Sequence, residues 1–314
     1  MEGLPSDFRQ FLAENEVDER LLQTQPSLRY VRLDPRNPPL LGELQADLQR
    51  LNPHSHVSVV PVDWMPGFCG IPADVKIASC PAYRAGRIYG MDVSSAVSVD
   101  VLDLRPGDQV LDLCCAPGVK LLYAAERLAG LGSITGVDIS ESRLHTCRSL
   151  LQKYGHEAQL FQADGCTFEA GQLYDKVMVD AECTHEGSLK HLQKFQSQWG
   201  WDTFKTRVLD THAHLAELQR GLADSGVRLL RPGGKLVYST CSFCRSQNED
   251  VVQWLLQQHP QLHLCDLRAS RYPALKSELG LRFDPITSNT GGQFVALFCK
   301  DLEQHTVSLD RQSC

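Results

Sequence analysis

The stretch from Val110 to Lys120 reads "VLDLCCAPGVK", and its reading decides the fold. A short apolar run surrounds one acid, Asp112, and is then broken by Pro117 and Gly118. After the break, "KLLYAAERL" (120–128) restores apolar residues at helical spacing. Strand, tight turn and helix in that order open a βαβ unit. The alternation continues outward, with strands expected at "SITGVDI" (133–139), "AQLFQAD", "DKVMVD" (175–180), "GKLVYST" (234–240) and "GQFVALFCK" (292–300). Helices are expected at "SRLHTCRSLLQKYG", over about 208–230, and at "NEDVVQWLLQQH". The pattern predicts an α/β fold, a mostly parallel sheet with helices on both faces.

Upstream the order is less regular. "SDFRQFLAENE" reads as a helix opening at Ser6, "RYVRLD" as a strand, "LGELQADLQRL" as an amphipathic helix and "PVDWMPGFCGIPAD" as a loop. "SSAVSVDVLDLRPGDQ" reads as a helix ending at Pro106 and Gly107. The expected division is a smaller α+β domain over 1–90, the α/β domain over 91–302 and a tail over 303–314.

Of the 314 residues 42% are hydrophobic and 22% charged, as in globular proteins. No apolar run is long enough for a membrane span, and the acidic N-terminus lacks the basic-then-apolar order of a leader, so an intracellular protein of cytoplasm or nucleus is expected. Free thiols are expected for its 12 cysteines. A net charge of −7 argues against coating nucleic acid by bulk charge, but basic patches remain. One holds Lys76, Arg84 and Arg87 among two tyrosines; another holds Lys190, Lys194, Lys205 and Arg207 among Phe195, Trp199, Trp201 and Phe204. Base-stacking surfaces have that composition. Inward-packing aromatics beneath a solvated charged face have it too, and both readings stay open.

In a doubly wound sheet the turn at Gly118 lies at the carboxyl edge, where ligands bind. Asp138 ends the next strand 138 − 118 = 20 residues later, the spacing of an acid that accepts hydrogen bonds from a ribose diol. The turn is not a full G-x-G-x-x-G, which favours a nucleoside without phosphate, such as S-adenosylmethionine. Asp164 ends the third strand, placed for an adenine amino group. At the next two strand ends come Asp180 with Cys183, and Thr240 with Cys241; the thiols are 241 − 183 = 58 residues apart and share one sheet edge.

These motifs resemble the Fmu/Sun (NSUN) family of RNA cytosine-5 methyltransferases. Asp112 to Lys120 is similar to its D-x-C-A-A-P-G-G-K turn, Asp180 to Cys183 to its D-A-P-C, and Ser239 to Ser242 to its S-T-C-S. "SQNEDVV" resembles its E-N-E segment, and "YGMDVSS", "GGQFVALFCK" and "RYVRLDPRN" resemble flanking segments and an RRM-like strand. The resemblance implies a class I methyltransferase with a seven-stranded Rossmann-like sheet, preceded by an RRM-like domain that positions RNA. It implies S-adenosylmethionine held by Cys115, Ala116, Pro117, Gly118, Lys120, Asp138, Arg143, Asp164, Gly165 and Asp180, with Lys120 near the methionine carboxylate. It makes Cys241 the nucleophile, Cys183 the thiol that helps expel product, and Asp180 the group at cytosine N3. Arg84, Arg87, Lys190, Lys194, Trp199 and Lys205 become RNA-contact candidates. Transfer RNA is the first expected substrate and ribosomal RNA the second, bound by a monomer, with a partner subunit left open.

Three departures stand out. Glu182 replaces the proline before Cys183, Val119 replaces the second glycine of the turn, and Thr184-His185-Glu186-Gly187 replaces a Ser-Gly pair. An anion at Glu182 is expected to raise the Cys183 pKa, with His185 offsetting it. Such departures also suit a catalytically silent RNA-binding homologue; a DNA or protein methyltransferase fits the paired thiols less well. Cys241 and Cys244 form a C-x-x-C with no second pair, so no metal is expected.

Overall fold

Strand β1 (Leu28–Leu33) buries Tyr30, Val31 and Arg32 at its centre. In this computed structural model, which describes residues 5–22, 24, 28–188, 191, 194 and 198–302, helix α1 (Ser6–Glu14) precedes β1. The expected tail at 303–314 lies outside the described residues. Helix α2 (Leu41–Leu51) follows β1, then strands β2 (Val60–Pro61) and β3 (Phe68–Pro72), the short helix α3 (Pro81–Arg84) and β4 (Ile88–Gly90). They form an antiparallel sheet of order β2-β3-β1-β4, with Leu44 and Leu48 of α2 buried against Val31, Ile71 and Ile88.

Strand β3 lies inside "PVDWMPGFCGIPAD", the expected loop. Gly67, at φ 83°, turns the chain back, and Phe68 to Pro72 pair with β1. Long-range pairing outweighs the local proline and glycine signals there. The glycine is also needed for space, since a Cβ at Gly67 would fall 1.7 Å from an Arg32 nitrogen.

Helix α4 (Val93–Asp100), capped by Asp92, leads into the second sheet. Its strands are β5 (Gln109–Asp112), β6 (Ser133–Asp138), β7 (Gln159–Gln162), β8 (Tyr174–Asp180), β9 (Leu230–Thr240), β10 (Leu262–Leu264), β11 (Leu275–Lys276), β12 (Leu281–Phe283) and β13 (Gln293–Lys300). Helices α5 (Val119–Leu128) and α6 (Glu141–Lys153) join β5, β6 and β7; helices His212–Leu229 and Glu249–Gln258 flank β9. The order is β11-β12-β13-β9-β8-β5-β6-β7, parallel from β9 to β7 and antiparallel beyond β9. Nine strands take part rather than seven, because β12 and β10 share the far side of β13 and β11 adds a hairpin at the edge.

The two sheets meet through a buried ion pair. Arg32 Nε donates to Glu126 of α5 at 2.7 Å, and the Tyr89 hydroxyl of β4 donates to the same carboxylate at 3.0 Å. The guanidinium also lies over the rings of Phe68 and Tyr123. Helix α1 packs elsewhere: Phe8 and Phe11 bury against Phe204, Val208 and Phe243 of the second unit, not against the small sheet.

One cysteine expectation is corrected. Cys265 and Cys299 form a disulfide, Cα atoms 5.7 Å apart, while nine other cysteines among the described residues are free. Cys265 follows β10 and Cys299 lies on β13, and the pairing of these strands brings the two together. Among the described residues no helix is long and apolar enough to cross a membrane.

Candidate active site

The three strand-end acids occupy one edge of the sheet, in different environments. Asp112 is buried and accepts the Cys114 N–H at 3.2 Å. Asp138 is buried and accepts the N–H groups of Ala116 and Ser140. Asp164 is exposed and accepts the Cys166 N–H at 2.9 Å. Arg143 donates to the Ala116 carbonyl at 2.5 Å and lies 3.8 Å from Asp138, so it closes the turn from outside.

Gly118 stands at φ 106° as the residue before α5. A Cβ there would fall 2.6 Å from Cys147 Sγ, so only glycine lets the turn lie against α6. Val119 begins α5, partly buried against the core, and does not share that position. Gly165 is equally confined, between Leu222 and the Leu113 carbonyl.

Burial pushes the Asp112 carboxyl up to about 7, opposed by the hydrogen bond from Cys114. A raised folded-state pKa means that the stabilisation is complete below about 3.8 and lost as pH rises through about 7. Asp112→Asn is therefore expected to flatten this pH dependence and to exceed wild-type stability at about pH 8 but not at about pH 4. Urea denaturation at both values tests it; a stability difference independent of pH would assign the effect elsewhere.

Beyond β8 and β9 the two thiols meet. Asp180 and Ser239 are register partners, and Cys183 and Cys241 lie three and two residues further on. Their sulfurs are 3.2 Å apart. His185 Nδ1 is 2.9 Å from Cys241 Sγ and 3.5 Å from Cys183 Sγ. Burial pushes the Cys183 thiol well above its ordinary value, with the Cys241 sulfur and then Glu186 adding to it. Cys241 is lowered to about 6, first by the hydrogen bond from Cys183 and then, against burial, by that from His185. Glu182, the anion expected to trouble Cys183, points to solvent, while its carbonyl accepts from Gln219. The carboxylate that acts on Cys183 is Glu186.

Lys120 is engaged within the protein. Its Nζ donates to Asp180 Oδ2 at 2.7 Å, and Asp180 Oδ1 accepts from the Ser239 hydroxyl at 2.7 Å. Burial works against the ammonium, but the Asp180 charge prevails and raises Lys120 above its usual value. A largely buried cation takes the carboxylate within reach.

The turn after Cys183 is stitched to the strand end after Cys241. Glu186 is buried and accepts from the Ser242 hydroxyl and from the Phe243 and Cys244 N–H groups. Gly187 N–H donates to the Cys241 carbonyl at 3.0 Å, and a Cβ there would fall 2.5 Å from that oxygen. Thr184 bonds Ser242 and Gln247, and Asn248 bonds Thr240 and the Ser242 carbonyl. Cys241 also lines a cavity of about 430 Å³ between the small sheet and Pro285–Gln293, walled by Arg29, Tyr30, Asp92 and Ser188.

A protein-family model described as 16S rRNA methyltransferase RsmB/F matches residues 99–299. The chain belongs to this family. The ribosomal RNA small subunit methyltransferase F of Klebsiella pneumoniae (strain 342) is 32% identical over 251 residues, 76% of this chain and 51% of that protein. The ribosomal RNA small subunit methyltransferase B of Pseudomonas syringae pv. tomato is 35% identical over 188 residues, 59% of this chain and 40% of that one. The chain thus spans about half the length, or less, of these curated relatives. Two solved structures share the class I methyltransferase fold. A methyltransferase homologue from Pyrococcus horikoshii has TM-score 0.67 at 25% identity, covering 95% of this chain and 100% of that one. NSun6 from the same organism has TM-score 0.78 at 18% identity, covering 95% and 99%.

The RNA-contact candidates of this RsmB/F-family chain are scattered by the fold. Arg87 donates to the Asn37 and Pro38 carbonyls and so braces a loop, whereas Arg84 is exposed at the end of α3. Of the two tyrosines beside them, Tyr89 is buried and Tyr83 lies under the Lys153 ammonium. Lys205 pairs with Asp7 at 3.6 Å. Lys194 and Arg207 both lie over the Trp199 ring. Phe204 and Trp201 pack inward against Phe8, so the inward reading holds for these two. Lys190 and Phe195 lie outside the described residues. Sequence reasoning gave no role to Glu186, Gln219, Gln247 and Asn248, which hold the two thiol loops together; Glu186 stands in the departure after Cys183, and the last two lie inside "SQNEDVV".

Proposed function

We propose that this protein is an S-adenosylmethionine-dependent RNA (cytosine-5)-methyltransferase working through a covalent bond from Cys241 to C6 of a cytosine. The observation that carries this reading is the 3.2 Å approach of two unlike thiols, one depressed to about 6 and one raised by burial. A nucleophile has to be a thiolate near neutral pH, and its neighbour has to remain protonated beside it.

The residues suit the cofactor. The Gly118 turn excludes a side chain, Asp164 leaves a carboxylate in solvent, and the Asp138 carboxylate sits at the end of β6. Cys115, Ala116, Pro117, Gly118, Asp138, Asp164 and Gly165 would hold it, with Arg143 and Lys120 supporting Ala116 and Asp180 from behind. When bound, it supplies an electrophilic methyl group. Cys241 adds to C6 and makes C5 electron-rich, Asp180 holds N3, and once the C5 proton is lost Cys183 helps expel the methylated product as the C–S bond breaks. The cytosine is proposed to leave its stack and enter the cavity above Cys241, with the β1–β4 sheet positioning the RNA. Small-subunit ribosomal RNA is the first candidate substrate because the family and the two relatives carry that name; transfer RNA, first from sequence alone, is the second.

The test is a denaturing gel of Cys183→Ala protein incubated with total RNA and labelled S-adenosylmethionine. A labelled adduct is expected, with its RNA identified by sequencing, and it should vanish when Cys241→Ala is added. Cofactor binding with no transfer from either wild type or variant would instead leave an RNA-binding homologue that keeps the fold.

A further inference from the structure

We infer that His185 is a third catalytic residue of this site, taking the proton from the Cys241 thiol and returning it when the nucleotide leaves. The inference deepens the proposed reaction and rests on the reading of Cys241 as its nucleophile.

The backbone carries the first part of the argument. His185 stands at φ 60°, in the left-handed region that a side chain disfavours and a glycine enters freely. It is held there by its neighbours, Glu186 bonded to Ser242, Phe243 and Cys244, and Gly187 bonded to Cys241 and Gly292. The result is an imidazole nitrogen 2.9 Å from Cys241 Sγ. A side chain kept in a disfavoured conformation by a rigid turn, against a reactive atom, is the arrangement found where strain serves chemistry.

The surroundings carry the second part. Cys183 cannot accept the proton, because burial keeps it a thiol. The imidazole can: His185 is raised, first by its hydrogen bond with Cys241, against burial and with Glu186 and Glu182 adding their charge. From other elements, Asp180 of β8 opposes a thiolate at Cys241, Lys120 of α5 interacts with it electrostatically, and the His191 ring stacks 5.5 Å from His185.

The step balances. The S–H bond of Cys241 breaks, its electron pair stays on sulfur, and the proton passes to Nδ1 of a neutral His185 that carries its own hydrogen on Nε2. The sulfur pair then forms the bond to C6. On release the C5 proton passes to solvent, the C5–H pair forms the C5–C6 double bond, the C–S pair returns to sulfur, and His185 gives back its proton.

The experiment compares wild type with His185→Gly, which removes the imidazole and relieves the left-handed backbone, so folding is not at risk. Alkylation of Cys241 by iodoacetamide, read by peptide mass spectrometry across pH, should show a midpoint near 6 in wild type, and the variant should move up by about one pH unit or more. Methyl transfer should move in parallel, falling about twofold near pH 7 and about tenfold near pH 5 and converging with wild type at high pH, with KM for RNA unchanged. An unmoved alkylation midpoint overturns the proposal. So does a loss of transfer that persists at high pH, which would mark a structural role, or an activity that a chelator abolishes, which would make Cys183, His185 and Cys241 metal ligands. If alkylation shifts as expected but no RNA is methylated by wild type, the proposed function fails while the proton transfer from Cys241 to His185 stands.

Discussion

Cys241→Ala is expected to lower methyl transfer by on the order of 10⁴-fold or more at every pH. The size follows from the electronics of the proposed cytosine substrate, whose C5 becomes nucleophilic only after a group adds at C6, and among the described residues no second thiolate stands beside Cys241. Cys183, the nearest sulfur at 3.2 Å, is held protonated by burial. Cys241→Ser should lose about as much, since a hydroxyl is far from ionised near neutrality. S-adenosylmethionine affinity should stay within about twofold in both variants, because the Gly118 turn, Asp138 and Asp164 make no side-chain bond to Cys241. Single-turnover methylation of the trapped RNA, with cofactor titrated separately by calorimetry, separates the two. Retention of about a tenth of the wild-type rate by Cys241→Ala would sink the assignment of the nucleophile.

Glu126→Ala should cost about 3–5 kcal/mol of stability, the range for breaking a buried ion pair from one side. Both side chains are almost wholly buried, Arg32 at 7% exposure and Glu126 at 4%. Burial holds the Glu126 carboxyl above its ordinary range against the pull of Arg32 and Tyr89. Removing the carboxylate therefore leaves a guanidinium among Phe68 and Tyr123 with no counter-ion, and a Tyr89 hydroxyl without its acceptor. Replacing both partners with apolar residues, as in Arg32→Met with Glu126→Leu, should recover most of the loss, because no charge is then buried alone. Urea denaturation of the three proteins measures this. A loss below about 1 kcal/mol for Glu126→Ala would show that the Arg32–Glu126 pair contributes little to holding the two sheets together.

Most of the second sheet was legible in the chain. Each expected strand from "VLDLCC" to "GQFVALFCK" is present within a few residues, and the carboxyl edge with Asp112, Asp138, Asp180 and Cys241 follows from their order. Less legible were the pieces that depend on distant partners. β3 forms inside a stretch rich in proline and glycine because β1 supplies its hydrogen bonds, and Trp201 and Phe204 turn inward because α1, some 190 residues earlier, covers them. Lys120 turns to Asp180, and Cys265 joins Cys299, for the same reason: the partner arrives from another element.

By itself the sequence determined the alternation of strand and helix, the glycine turn, and the presence of two thiols at neighbouring strand ends. These are local properties, set by side-chain periodicity and backbone preference over a few residues. The tertiary structure alone decided that the sulfurs stand 3.2 Å apart, that one is depressed while the other is raised, and that His185 faces the depressed one. Those outcomes depend on burial and on charges brought together from β8, β9 and α5, which no window of sequence contains.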